Sequence, residues 1–95
     1  MSAGLTRRLR RWTIEQFRDE APFVLRQLEA HDPGATSQVP ERILAAIAFV
    51  ARRRSLPEAL ELARTDWRDL LVSAGLGDDD WPEVLHQVLD PGPRH

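Results

Sequence analysis

The chain has 95 residues, which suits one domain, and its 42% hydrophobic and 29% charged residues are typical of a globular protein and exclude a disordered one. Cys is absent, which excludes disulfides, thiolate metal sites and cysteine nucleophiles. Residues 1–54 carry ten Arg against six acidic residues, a net charge of +4, and residues 55–95 carry three Arg against nine, a net charge of −6. This polarity predicts an acidic partner for one half, or attraction between the halves within the fold or in a dimer.

All 13 cationic residues are Arg, and Lys, Asn and Tyr do not occur. One interpretation is phosphate recognition, because the planar guanidinium matches phosphate oxygens. The other is codon bias, because the missing residues have AT-rich codons and a high-GC genome would use them little. We favour codon bias.

The first predicted element is a basic helix. Leu5, Leu9 and Trp12 recur at helical spacing. Four arginines lie between them: Arg7, Arg8, Arg10 and Arg11. Thr13 followed by Gln16 fits a capping box, which predicts that a helix begins or restarts at the next residue, Ile14.

Proline and glycine mark the following boundaries. Pro22 predicts a break near residues 19–21 in preference to one long, kinked helix. The stretch HDPGATSQVP, at residues 31–40, predicts a loop. From Pro40 to about Arg53 the chain is apolar on nearly every side, which predicts the central helix of the fold. The arginines at its end suit the negative end of the helix dipole.

Three shorter helices are predicted in the C-terminal half from capping residues and glycines. The predicted caps are Ser55 with Glu58, then Thr65 or Asp66, and then Asp80, and the predicted stops are Gly75 and Gly77. The consecutive acids at positions 78–80 lack the alternating ligand spacing of a calcium loop. We therefore interpret them as helix-capping and solvated charge.

Residues 40–90, and above all the stretches DWRDLLVSAGL and DDDWPEVL, resemble short proteins of high-GC actinobacteria that have no assigned activity. The resemblance implies an all-helical fold and transfers no functional residue.

These patterns predict an all-α fold, a compact single-domain bundle of about five short helices over residues 1–95. Residues 1–4 and 91–95 are expected to be frayed tails, and residues 5–12 a basic N-terminal segment. Trp67→Ala should cost about 3–5 kcal/mol, as deletion of a buried aromatic does. The residues expected to be buried are Leu44, Ile47, Phe49, Leu62, Trp67, Leu70, Leu71, Trp81 and Leu85.

Catalytic and metal-binding patterns are missing from the sequence. His31, His86 and His95 show neither HxxxH nor HExxH spacing, and no Ser stands in a nucleophile-elbow setting. The G-x-G at positions 75–77 has no third glycine and no preceding strand. We therefore predict no enzymatic activity, no catalytic or metal-binding residue and no cofactor.

Nucleic-acid binding is the alternative function. Arg7, Arg8, Arg10 and Arg11 with Trp12, and Arg52, Arg53 and Arg54, supply cations and an aromatic ring. The stretch SLPEALELARTDWRDLLVSAGL also resembles the helix-turn-helix of small bacterial regulators and antitoxins, which implies DNA binding. It departs from that pattern at Ala63, where glycine is usual, and at Arg64, where an apolar residue is usual. Asp66 and Asp69 in the second helix would repel phosphates, so a plain helix hairpin is the preferred interpretation.

Protein binding is the predicted function. The longest apolar run, residues 43–51, falls short of the about 20 residues that a membrane span needs, and no apolar stretch follows the basic N-terminus as in a secretory signal. We expect a cytoplasmic module that binds a protein partner or forms a homo-oligomer. The first helix could instead lie on a membrane surface, but we prefer it in the bundle. The candidate binding surface is Arg7, Arg8, Arg10, Arg11, Trp12, Arg52, Arg53 and Arg54.

Overall fold

The computed structural model describes residues 5–31 and 40–90, and these residues form six α-helices and no strand. The helices are α1 (Arg7–Phe17), α2 (Ala21–Ala30), α3 (Pro40–Arg53), α4 (Leu56–Thr65), α5 (Trp67–Ala74) and α6 (Trp81–Leu89). The predicted all-α fold of short helices is confirmed. The tails predicted at residues 1–4 and 91–95 lie outside the described residues, as does most of the predicted loop after His31.

α1 contains most of the predicted basic segment and runs on without interruption to Phe17. Its cap is Thr6, whose side chain accepts a hydrogen bond from the Leu9 amide. The start or restart predicted at Ile14 is wrong, because the helix is continuous there. Thr13 is fully buried and donates its hydroxyl to the Leu9 carbonyl one turn back, at 2.8 Å. A threonine that satisfies its hydroxyl within a helix has no need to cap one. The break predicted near residues 19–21 is confirmed as a 3₁₀ turn (Arg18–Glu20) before α2.

α3 is the central element, as predicted. Residues 43–51 are all buried, and the helix contacts α1, α2, α4, α5 and α6. The helix carries small alanines between the larger Ile43, Ile47 and Val50. Neighbouring helices can therefore pack closely against it. Every side of α3 except its ends is therefore interior.

Local capping signals set the boundaries of α4 and α5. The Ser55 hydroxyl accepts from the Glu58 amide, and the Asp66 carboxylate accepts from the Asp69 amide. Gly75 ends α5 in the left-handed region with a φ of 79°, where glycine is favoured. Asp80 precedes α6, but its side chain makes no capping hydrogen bond.

The core contains most of the residues predicted for it, with three corrections. Trp67, Trp81 and Leu62 are half-buried and pack against the edge of the core. Trp81 lies under the guanidinium of Arg42, 5.0 Å from Cζ to the ring centroid, so its ring faces a cation on one side.

Within the described residues, no helix is both long and apolar enough to cross a membrane.

Candidate functional site

The arginines at the start of α1 are divided between ion pairs and open surface. The Arg8 guanidinium donates through Nε and Nη2 to the two oxygens of Glu41, both at 2.8 Å, and through Nη1 to Asp90 at 3.1 Å. Arg10 donates to Glu29 at 3.2 Å. These cations are partly neutralised within the fold, so they are poorly placed to attract an external anion.

The carboxylates around Arg8 are held in their charged form. The hydrogen bond from Arg8 lowers the pKa of Glu41 below its ordinary value, and a second bond from the Thr6 hydroxyl, at 2.6 Å, acts in the same direction. The pKa of Asp90 is also lowered, first by Arg8 and then by Arg11. The bond to Glu41 raises the pKa of Arg8 in return. This cluster joins α1 to the start of α3 and the end of α6.

Trp12 lies half-buried at the point where the two predicted arginine clusters meet. Its ring packs edge-to-face on Phe49 of α3, with ring centroids 4.9 Å apart and an interplanar angle of 66°. The ring of Phe17 lies 6.3 Å away on α1. The indole therefore packs at the edge of the core, and its remaining exposed side lines a surface groove.

That groove, here called the Trp12 groove, is an open cavity of about 260 Å³ between α1, α3, the end of α5 and α6. Its floor is apolar, and two guanidinium groups border it. The lining residues are Trp12, Phe49, Ala74, Gly75, Val84 and Val88, with Arg52 and Arg53. An open groove of this size takes a few protruding side chains of a partner.

The two cations of the Trp12 groove differ in how strongly they are held. Arg53 donates to the Ser73 carbonyl at 2.8 Å, which fixes it over the end of α5. Arg52 donates to the neutral amide oxygen of Gln16 at 3.2 Å, a contact that leaves its charge uncompensated. Both lie in the last turn of α3, where the negative end of the helix dipole stabilises cations.

A second depression continues the groove along the seam of α1 and α6, with Trp12 and Val88 common to both. Arg11 lies on it and donates at 3.0 Å to both the Leu89 carbonyl and Asp90, at the end of α6. His86 and Glu15 also line it, and both side chains are exposed. Within the described ranges no three His, Asp or Glu side chains are grouped so as to hold a metal ion.

The structure therefore brings together four of the eight predicted surface residues: Arg11, Trp12, Arg52 and Arg53. Arg7 is exposed one helical turn before Arg11. Arg8 and Arg10 lie in the ion pairs described above. Arg54 borders a different groove, between α2 and α4.

Sequence reasoning missed the apolar half of this site. Val84 and Val88 lie one turn apart on α6 beside the buried Leu85 and Leu89, so α6 carries a second apolar stripe. Val88 is 38% exposed. In this nine-residue helix, Val-Leu occurs twice, four residues apart. The Leu residues suffice for the core contact, so the Val residues signal a second apolar surface on the helix.

No protein-family model, curated protein or solved structure matches the chain. Its function is therefore inferred from what the groove offers chemically: a small apolar floor beside guanidinium donors. Such a surface is complementary in shape and charge to an apolar side chain flanked by carboxylates.

Proposed function

We propose that the protein is a non-enzymatic binding module whose Trp12 groove takes an acidic protein segment that carries one or two apolar side chains. The observation that carries the proposal is the juxtaposition of Arg11, Arg52 and Arg53 with the apolar floor around Trp12. Tryptophan and arginine are the residues most often found at the energetic centre of protein interfaces. A cytoplasmic setting is part of the proposal, and the absence of Cys is compatible with it.

The polarity of the groove selects the partner's chemistry. In the lining of the Trp12 groove itself, the charged side chains are Arg52 and Arg53. The neighbouring depression adds Arg11, but its Glu15 and Asp90 temper the positive charge there. A partner segment should place its acids near α3 and its apolar side chain on Val84 and Val88.

Nucleic-acid binding is the second candidate, favoured by one observation: cations from both arginine clusters border the same continuous depression. Several features weigh against it. Glu15 and Asp90 lie within the depression. Arg11 and Arg53 each donate a hydrogen bond to a carbonyl oxygen, which leaves fewer donors for phosphates. On the hairpin of α4 and α5, the exposed acids Asp66 and Asp69 accompany Arg68, so that surface repels phosphates.

The test is a titration with a synthetic peptide of about 16 residues, with Asp and Glu around Leu at helical spacing. Arg52→Ser and Val88→Ser should each weaken binding by roughly threefold to tenfold, about 0.7–1.4 kcal/mol. The matched controls are Arg26→Ser on α2 and Val72→Ser on α5, which make the same chemical changes on other exposed surfaces. Equal weakening by the controls would contradict the proposed site.

The same variants separate the two candidates. Duplex DNA and single-stranded RNA are titrated at about 50 and about 200 mM salt, where phosphate contacts give a steep salt dependence. Binding of nucleic acid that exceeds binding of the peptide, and that is lost in Arg52→Ser, would replace the protein-binding proposal with the second candidate. Peptide binding without nucleic-acid binding is the expected result.

A further inference from the structure

A second apolar groove lies between α2 and α4, away from the Trp12 groove. Both helices pack on α3 and leave an open channel between them. We call it the Phe23 groove, and its apolar lining includes Phe17, Phe23, Leu56, Pro57 and Leu60. Its two parts measure about 580 and 340 Å³. This channel is large enough to take protruding side chains from another protein surface.

Phe23 is the unusual residue of this groove. Its side chain is 53% exposed, although Phe is among the residues most often buried. It stands beside Leu56, Pro57 and Leu60, which are only partly covered or exposed. Among the residues that the structure describes, an exposed aromatic ring thus lies next to an open apolar channel, and we call the ring the knob and the channel the hole.

A two-fold arrangement of two chains satisfies both features at once. An isologous interface uses the same patch twice, so the knob of each protomer enters the hole of its partner. A single partner helix would fill the channel but would need a separate hollow for Phe23. The knob and hole of the Phe23 groove are therefore better matched by a second copy of the chain.

Charge at the two ends of the groove agrees with this symmetry. Asp19 and Glu20 lie at the end where α2 and α4 begin, and Arg64 lies at the other end. Asp19 precedes Phe23 by four residues and Arg64 follows Leu60 by four, about one helical turn in each case. A two-fold axis through the middle of the groove would bring the acids of one protomer opposite Arg64 of its partner.

The ion pair that Arg64 forms within its own chain does not prevent it from pairing with the acids of the partner. Arg64 contacts Glu61 at 2.8 Å, but the side chains are 63% and 61% exposed. Such a surface pair contributes little. Arg54, at the acidic end, offers the partner's Glu61 a cation in the same way.

We infer that the chain forms a two-fold homodimer through the Phe23 groove, with Phe23 inserted between α2 and α4 of the partner. This inference rests on residues outside the Trp12 groove and does not depend on its occupant. Failure of one proposal leaves the other standing.

Sedimentation velocity over roughly 5–300 μM protein tests the inference. The wild type should reach the mass of two chains of 10.8 kDa each. Phe23→Asp should remain monomeric, with an unchanged helical circular dichroism spectrum. Val72→Asp is the matched control, because Val72 is 68% exposed on α5, and it should dimerise like the wild type. A monomeric wild type, or a Phe23→Asp variant that dimerises equally well, would overturn the inference.

Charge reversal supplies an independent test that does not alter the apolar groove. Asp19→Arg and Arg64→Asp should each weaken dimerisation, by roughly fivefold or more, and the double variant should recover most of the loss. Recovery supports the two-fold arrangement. Additive losses in the double variant would contradict it, as would dimerisation that ignores both charges.

Discussion

Glu41 is the main partner of Arg8, the arginine of α1 that is most engaged in ion pairs. Its two oxygens accept hydrogen bonds from Nε and Nη2 of Arg8 and from the Thr6 hydroxyl, and its side chain is only 14% exposed. Charge-assisted bonds of this kind are among the stronger polar contacts in proteins. Without Glu41, Arg8 would keep Asp90 alone and would sit partly buried without its main partner.

Glu41→Gln should therefore lower the free energy of unfolding by about 1.5–3 kcal/mol at neutral pH. The effect should also depend on pH. The pKa of Glu41 is lowered in the folded chain, so its contribution is complete above its unfolded pKa, near the ordinary 4.5, and is lost as pH falls through the lower folded pKa. Urea unfolding of both proteins at about pH 7 and about pH 3 should show the difference shrinking in acid.

Glu15→Gln provides the control for this prediction, because Glu15 is exposed on the same helix. It should change stability by less than about 0.5 kcal/mol at either pH. If Glu41→Gln showed the same loss at about pH 3 as at neutral pH, the ionised carboxylate would not be the stabilising species.

Trp67 tests the correction to the core. The residue is half-buried, whereas Leu70, one turn later on α5, is fully buried. Trp67→Ala should cost about 2 kcal/mol, roughly half of what a fully buried aromatic costs, and Leu70→Ala about 2–5 kcal/mol. Chemical denaturation decides the order. A loss for Trp67→Ala larger than that for Leu70→Ala would restore the residue to the core.

At the scale of helices, the boundary of α5 depends on backbone conformation more than on packing. Gly75 has a φ of 79°, and a Cβ added there would meet no other atom within 4 Å. Any penalty at this position is therefore conformational. The Leu76 amide continues the turn by donating to the Leu71 carbonyl at 2.8 Å, a bond that requires the left-handed residue before it.

Gly75→Ala should destabilise the fold by about 1 kcal/mol, and Gly75→Asn by less, because Asn adopts the left-handed region more readily. Thermal unfolding of the three proteins gives the comparison. Equal losses for Ala and Asn would indicate a side-chain clash, in conflict with the open space around the position.

The helices were largely predictable from short-range signals, and the exceptions have physical causes. Ser55, Asp66, Gly75 and Pro40 act on their own neighbours, so their sequence context was sufficient. Thr13 misled because a threonine hydroxyl satisfies either a free amide at a helix start or a carbonyl within a helix, and burial decides between them. Burial depends on how α1 packs against helices that lie later in the chain.

At the scale of the whole molecule, some charges of the basic N-terminal half pair with charges of the acidic C-terminal half within the fold. Arg8 and Arg11, from the basic half, contact Asp90 from the acidic half. Arg53 and Arg42 reach the carbonyls of Ser73 and Leu76. Attraction between the halves within one chain was one of the predicted outcomes, and the two ion pairs with Asp90 are contacts of that kind.

The candidate site was predictable in its cations and not in its shape. Arg11, Trp12, Arg52 and Arg53 were recognisable as a possible surface, but which arginines would be neutralised depended on distant acids such as Glu41. The valines of α6 complete the groove only after α6 packs beside α1. The paired Val and Leu residues of α6 indicate an apolar stripe, but the sequence does not show which helices that stripe would meet.

The central claim, that the Trp12 groove binds an acidic segment with an apolar side chain, is tested most directly by the indole signals of the three tryptophans. A ¹H–¹⁵N correlation spectrum is followed while the acidic leucine-containing peptide is added, and a peptide with Ser in place of Leu is the control. The Trp12 indole signal should shift saturably, while those of Trp67 and Trp81 stay in place. An unmoved Trp12 signal at saturating peptide, or shifts confined to Trp67 or Trp81, would contradict the claim.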